Sequence, residues 1–413
     1  MRRTELFTKT SKTVPGDEVA KNAQLLIRAG FIYKEMAGVY AYLPLGKRVL
    51  DKIIQIIREE MDAVGGQEIS LTALQQKDTW EASGRWSDDV MDVWFKTKLA
   101  NGTELGLAPT HEEPLTRLMR TYISSYKDLP VYPYQFQIKF RNELRSKSGL
   151  MRGREFWMKD LYSFSRSQAE HEKYYSVMSN AYDRVFARLG IGDRTYKTFA
   201  SGGSFSRYSH EFQTVSEAGE DTIYVHEAKK IAINEEVYTD EVLADLGVAR
   251  EELKERKAIE VGNIFTLGTK FSDALGLHYT DEVGEQHAVY MGCYGIGPSR
   301  LMGVIAELFA DDKGLVWPDN IAPFKVYLVN IGEQGTRMAE TLYAALQSQG
   351  TAVLYDDRNE RPGSKFADAE LMGIPYRVTA SDRLFGEQKY ELTDRKNGAV
   401  TLLTADELLA KLR

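Results

Sequence analysis

Apolar residues first recur at helical spacing in Leu50, Ile53, Ile54, Ile57 and Met61, ahead of Gly65-Gly66. Positions three and four apart make one face of an α-helix, and the glycine pair stops it. The pattern then shortens. VWFKTKLA and TELGLAPT flank Asn101-Gly102, a strong hairpin signal because glycine tolerates the positive φ of a tight reversal, and the second arm carries Thr110, His111 and Glu112 to a strand end. In the next run Phe136, Ile138 and Phe140 alternate with Gln137, Lys139, Arg141 and Glu143. Period two puts Arg141 and Glu143 side by side on one surface. Beyond a basic loop, Phe156, Met158, Asp160 and Tyr162 share a face of a second strand.

A helix follows with Tyr174, Val177, Met178, Ala181 and Val185 on one side, stopped by Gly190. Residues 201–224 mix glycine-rich turns with strand-like pieces, and the charged stretch DEVLADLGVAREELKERK after Thr239 reads as a small surface insertion. Strands resume at IEVGNIFTLG and HAVYMGCYGIG, the latter running through Pro298, Ser299 and Arg300 into a helix with Leu301, Val304, Ile305 and Leu308. From Ala322-Pro323 the order becomes strand FKVYLVNI, helix Met338 to Leu346, strand TAVLYDD, helix Lys365 to Leu371 and further short strands, which predicts a separate α/β domain. Thr404 and Glu407 stand in capping-box spacing before its last helix.

With 413 residues, 43% of them hydrophobic, the chain can form two or three domains with proper cores. The start, MRRTELFTKTSKTV, has no apolar export segment and no apolar run reaches membrane-spanning length, so a cytoplasmic protein without a membrane partner is expected. One cysteine, Cys293, excludes an internal disulfide framework and a thiolate-rich zinc site, and the six histidines lack ligand spacing, so no protein-held metal is predicted. A net charge of -7 argues against a protein that coats nucleic acid indiscriminately, but leaves room for a structured RNA. Against that acidic background Lys139 to Lys159 holds seven Lys and Arg residues and only two Glu. A local basic patch of this kind marks a specific anion site.

Arg300, in the first turn of its helix, meets the positive end of the helix dipole at a cost of a few tenths to ~1 kcal/mol, so an anion is expected to compensate it. The glycines of GCYGIGPSR suit close approach of a ligand or of the sheet. Thr110 and Glu112 either present a hydroxyl and a carboxylate to a cationic amine or cap a helix, since Thr-His-Glu-Glu-Pro also reads as a helix start. His111, Cys293 and the tyrosines are read as structural, and EELKERK as a solvated helix face.

Several of these segments, in this order, resemble the bacterial-type prolyl-tRNA synthetases, a family of class II aminoacyl-tRNA synthetases. GVYAYLPLGKRVLDKIIQIIREEMDAVG resembles motif 1 (about 38–65), KFRNEL through DLYSF motif 2 (about 134–164), and GCYGIGPSR motif 3 (about 290–308). LAPTHEEPLT resembles the Thr-x-Glu segment, and DDRNERPGSKFADAELMGIP the anticodon-binding domain. The resemblance implies an α+β fold: a catalytic domain over residues 1–321, with an antiparallel sheet flanked by helices and motif 1 at a homodimer interface, then an anticodon-binding α/β domain over 322–413.

It further implies activation of L-proline with ATP and Mg²⁺, and transfer of proline to the 3′ end of tRNA(Pro). Arg141 and Arg300 would be the catalytic residues. Arg141, Glu143, Arg152, Phe156 and Arg300 would bind ATP, with Phe156 and Arg300 sandwiching adenine. Thr110, Glu112, Arg141, Met158, Tyr162 and Phe212 would hold proline. Arg145 and Lys147 would touch the acceptor stem, and Arg358, Arg361 and Lys365 the anticodon. Only residues 238–257 occupy the place of the family's large editing domain, which implies uncorrected alanylation and a separate deacylase. Two alternatives are a noncatalytic class II-like RNA-binding accessory protein and an amino-acid-activating paralogue with a non-tRNA acceptor.

Overall fold

A computed structural model describes residues 1–14, 16–144, 146, 148–202 and 208–413. The first periodic stretch forms the helix Pro44–Ala63, which opens on proline and buries Leu45, Val49, Leu50, Ile53, Ile57 and Met61. Gly65, at φ +83°, turns the chain out of it in a conformation that a side chain would strain.

Among the described residues nine strands make the main sheet, in the order Tyr208–Val215, Thr195–Ser201, Ile231–Asn234, Asp221–His226, Lys254–Gly268, Tyr290–Ile296, Glu155–Ser165, Pro133–Phe140 and Gln67–Glu68. Neighbours are antiparallel except for Ile231–Asn234 beside Thr195–Ser201 and Gln67–Glu68 beside Pro133–Phe140. Helices Pro44–Ala63, Gln168–Arg188 and Pro298–Phe309 supply the apolar side of the core. Three details correct the sequence expectation. Val177 is 42% exposed, because the buried face of its helix is carried instead by His171, Tyr174, Met178, Ala181, Tyr182 and Val185. Lys254 to Lys257 belong to a sheet strand, paired with Asp221–His226, so the surface insertion closes sooner than expected; Val242, Leu243 and Val248 pack it onto Ile233 and Val237. The strand Pro133–Phe140 ends before Arg141, and its polar residues Gln135 and Lys139 are buried whereas Phe136, Ile138 and Phe140 are only partly so.

From Val326 the chain forms a five-stranded sheet, ordered Val353–Asp356, Val326–Ile331, Tyr376–Ser381, Lys389–Asp394 and Val400–Thr404. Its first three strands are parallel, as strand-helix-strand crossovers require, and the last helix begins with the expected Thr404–Glu407 capping box. The two sheets share a seam. Trp317 stacks on Phe31, ring centres 5.5 Å apart, and its indole N–H donates to the Met372 carbonyl at 3.1 Å. The N-terminal residues also cross to this second sheet: Arg2 bridges to Tyr355 and grips Glu340 with two bonds of 2.8 and 2.6 Å. No helix among the described residues is long and apolar enough to cross a membrane.

Candidate active site

The strands Glu155–Ser165, Tyr290–Ile296 and Lys254–Gly268 lie adjacent, and their faces opposite the long helices floor two connected cavities. In the first, Arg141, Glu143, Arg152, Phe156, Glu260 and Arg300 are brought together from three segments distant in sequence, the hairpin carrying the first four, the strand of Glu260 and the helix of Arg300. Gly295 keeps the floor low here: a Cβ would stand 2.8 Å from the Asn263 amide oxygen. Arg300 sits in the first turn of helix Pro298–Phe309, and the anion that the dipole calls for is Glu260, which accepts from its Nη1 at 3.0 Å while the Glu260 carbonyl accepts at 2.8 Å. Arg152 donates from Nε to Glu143 at 3.0 Å and from Nη1 to Glu220 at 3.0 Å.

Arg141 is different. Its Nε donates to the Pro109 carbonyl at 3.3 Å and its guanidinium lies 5.3 Å from the Phe156 ring centre, but no described carboxylate pairs with it. Burial, and then the neighbouring Arg300, lower its pKa from the ordinary arginine value. Arg141 is thus a half-buried guanidinium that lines both cavities and has no carboxylate partner among the described residues. The cation over Phe156 is thus Arg141, with Arg300 on the same cavity wall.

In the second cavity Thr110 does not cap its helix. The helix Glu112–Met119 starts after His111 with no side-chain cap, and the Thr110 hydroxyl donates instead to the Glu112 carboxylate at 2.6 to 2.7 Å. The Tyr162 hydroxyl and the Cys293 thiol approach the same carboxylate at 3.4 and 3.5 Å, and Arg85 at 3.3 Å. Met158, Tyr162 and Asn263 line the remainder. Below lies a buried charged floor: Lys139 Nζ is 2.9 Å from Asp160, which also accepts from Gln135 at 3.0 Å, and Lys139 donates to His111 Nδ1 at 2.6 Å. Burial and the Lys139 charge push His111 down to about 4, so the ring is neutral and its other nitrogen donates to the Thr72 carbonyl at 3.0 Å.

Phe212 is not at this site. Strand alternation turns it to the helix side, fully buried with its ring 5.1 Å from Tyr182 and 5.4 Å from Phe186. In the second domain Arg358 is held by Asp356 and Asp368, and the Lys365 ammonium is buried on Asn330 and the Asp356 carbonyl, so both are occupied in holding the domain together. Arg361, preceding helix Pro362–Met372, is exposed. Arg145 and Lys147 lie outside the described residues. Cys293, read as structural, lines the second cavity and His111 lies beneath it on Lys139; Arg85 with its partner Glu113, and Lys139, Asp160 and Glu260, stand at the cavities without having been singled out from the sequence. A lysine and an aspartate at buried-face positions of two paired strands, and an acid inside the apolar run IEVGNI, are the signals that could have found the last three.

The family model described as the tRNA synthetase class II core domain (G, H, P, S and T) matches residues 95–309, and the anticodon binding domain model matches 325–413. The chain is 38% identical over 432 residues to a proline–tRNA ligase of Anaplasma marginale, covering 100% of both chains. Against a proline–tRNA ligase of Geobacillus sp. it is 33% identical, covering 100% of this chain and 99% of that one in an alignment of 565 residues, so that relative is the longer. Among solved structures it is similar to a Cryptosporidium parvum prolyl-tRNA synthetase complexed with halofuginone and AMPPNP, with TM-score 0.78 and 18% identity over 94% of this chain and 75% of that one. A Giardia lamblia prolyl-tRNA synthetase in complex with prolyl-adenylate gives TM-score 0.78 and 20% identity over 93% and 74%.

Proposed function

The chain belongs to the proline–tRNA ligase family, and from that premise we propose that it activates L-proline with ATP and transfers it to the 3′ end of tRNA(Pro). The observation that carries the reading is Arg141, a guanidinium with no carboxylate partner among the described residues, lining both the arginine-rich cavity and the cavity holding Thr110 and Glu112. ATP lies in the first, with adenine between Phe156 and Arg300 and its phosphates on Arg152 and Arg300. Proline lies in the second, its ring ammonium on Glu112 and Thr110 and its ring against Met158 and Tyr162.

Arg141 then bridges the proline carboxylate and the α-phosphate. The carboxylate attacks phosphorus in line and pyrophosphate leaves, so the chain supplies positioning and charge stabilisation, and no nucleophile of its own. Magnesium fits the phosphate side, where Glu260 and Asp221 line a cavity with Arg152 and Arg300. Negative charge is crowded there: burial, followed by Glu260, pushes nearby Glu211 up to about 8, and the same influences raise Asp221. Oxygen donors in surplus suit a hard divalent cation, which when bound would neutralise phosphate charge.

Arg145, Lys147 and the exposed Arg361 remain the proposed tRNA contacts, and the chain works as a cytoplasmic homodimer. The knob formed by helix Asp240–Leu246 and its flanks is too small to hydrolyse mischarged tRNA. ATP–pyrophosphate exchange with each amino acid in turn, followed by charging of tRNA(Pro), tests the proposal. Proline-dependent exchange with charging supports it; exchange without charging points to a different acceptor, and no exchange with any amino acid overturns it.

A further inference from the structure

We propose that Arg85 and Glu113 are positioning residues that set the charge of the amino-acid cavity, so that a cationic ring ammonium arriving at Glu112 expels a proton from the Glu112–Glu113 pair. This deepens the reading of that cavity as the proline site and rests on it.

Three ionisable groups are packed into one corner. Arg85 Nη1 lies 3.0 Å from Glu113 and 3.3 Å from Glu112, and all three residues are less than a tenth exposed. The Arg85 guanidinium is flanked by the Trp80 and Phe271 rings at 5.2 and 5.4 Å, and its carbonyl accepts from the Trp94 indole at 3.0 Å, so it cannot follow a moving partner without unpacking aromatics. Glu113, itself 0% exposed, is anchored from the other side by the Ser83 hydroxyl at 2.7 Å. Glu112 alone of the two faces the cavity. One guanidinium therefore serves two carboxylates.

With both carboxylates ionised the corner carries one surplus negative charge, which burial opposes and which a ligand cation would neutralise. Burial, partly offset by Arg85, pushes Glu113 up to about 7, whereas Arg85 and the Thr110 hydroxyl hold Glu112 below its ordinary value. Near neutrality the empty corner therefore holds a proton for part of the time, on Glu113. When the ring ammonium binds Glu112, the Glu113 O–H gives that proton to solvent; no other bond forms or breaks. The remaining charged or titratable groups around the cavity are Lys139, Arg141, Glu143, Asp160, Tyr162, Glu260, Cys293 and Arg300 on its walls, and His111 behind Lys139. Of these, His111 is neutral at pH 7, Tyr162 and Cys293 are raised by burial, and Lys139 and Asp160 neutralise one another.

Titration calorimetry of the whole protein at pH 7 with L-proline and with L-prolinol, in phosphate and in Tris, measures proton release from the buffer dependence of the heat. Release of about half a proton with both ligands is expected, because prolinol keeps the ring ammonium and lacks the carboxylate. In exchange assays the proline KM should fall about tenfold as pH rises from 6 to 8, because a carboxyl that titrates near 7 in the free protein and stays ionised in the complex must lose its proton before binding over that span. Glu113→Gln should abolish the release and hold the proline KM flat at its low-pH value, and Arg85→Lys should raise the proline KM at every pH, with the ATP KM unchanged in both. Proline binding without proton release in the wild type would overturn the proposal and leave the functional reading standing. Glu113→Gln with the wild-type pH profile would do the same. No proline-dependent exchange at all would remove both.

Discussion

Replacing Arg141 by alanine separates catalysis from stability more cleanly than any other change at the site. Removing one partner of a buried ion pair ordinarily strands the other, at about 3–5 kcal/mol. Arg141 has no described carboxylate partner, and its pKa is already lowered by burial and by Arg300, so its removal strands no charge, takes only a 3.3 Å donor from the Pro109 carbonyl, and relieves repulsion between two guanidinium groups. Thermal unfolding of Arg141→Ala should therefore match or slightly exceed the wild type. Activation should collapse: the side chain is placed to hold both a carboxylate and an α-phosphate, and a preorganised donor at a developing charge contributes about 3–4 kcal/mol, so two such roles imply a loss of roughly 10⁴-fold or more. Arg141→Lys should recover little, because an ammonium cannot reproduce the planar fork over Phe156. Pyrophosphate exchange and calorimetric unfolding on the same sample measure both. Near-normal exchange would refute the assigned role, and a Tm loss of several degrees would refute the charge argument.

Arg300→Gln should raise the ATP KM with little change in the proline KM, and should also destabilise the protein because Glu260 loses its 3.0 Å partner; exchange kinetics and unfolding together check it. Lys159 is fully buried, its ammonium on the Tyr182 hydroxyl and the Tyr294 carbonyl, and burial lowers it to about 7. Between that value and the ordinary 10.5 the unfolded chain binds the extra proton, so stability should rise with pH across this window, by up to a few kcal/mol, and Lys159→Met should flatten that rise in denaturant titrations. Arg395 grips Asp311 with bonds of 2.6 and 2.7 Å across the seam between the two sheets and holds its carboxyl well below 3.8. That contribution should be complete at neutral pH and lost as pH falls below 3.8; because Asp311 is 45% exposed, Arg395→Ala should cost only about 1–2 kcal/mol, read from chemical denaturation. Finally, alanine lacks the ring methylenes of proline, and a missing methylene is worth only ~1–3 kcal/mol, so the purified chain should form alanyl-tRNA(Pro) and fail to hydrolyse it. Rapid deacylation by the chain alone would contradict this.

Much of the architecture was readable along the chain because it rests on short-range periodicity. The helix of Leu50 to Met61, the Asn101-Gly102 hairpin, the paired strands around the basic loop and the Thr404 capping box all depend on neighbours within a few residues, where period and turn chemistry decide the outcome. The site residues that the resemblance implies rest on motifs that keep their order in the sequence. What periodicity alone left open is which face of a strand meets which neighbour. Phe212 and Met158 read alike as apolar strand residues, yet one is locked against Tyr182 and the other faces the cavity, because strand order in the sheet sets the orientation.

The charges follow the same division. That Lys139 to Lys159 is basic is a property of the sequence; that Lys139 is neutralised by Asp160 and Arg300 by Glu260, that the Lys365 ammonium donates to Asn330, and that no described carboxylate pairs with Arg141 depends on contacts between segments far apart in the chain. A coulombic partner is chosen by distance in space and strengthened by burial, and neither is written in local order. Residue types and spacing thus sufficed for most of the elements, and ordered motifs for the family resemblance, whereas long-range packing determined which of the described cations hold the fold together and which face the cavities.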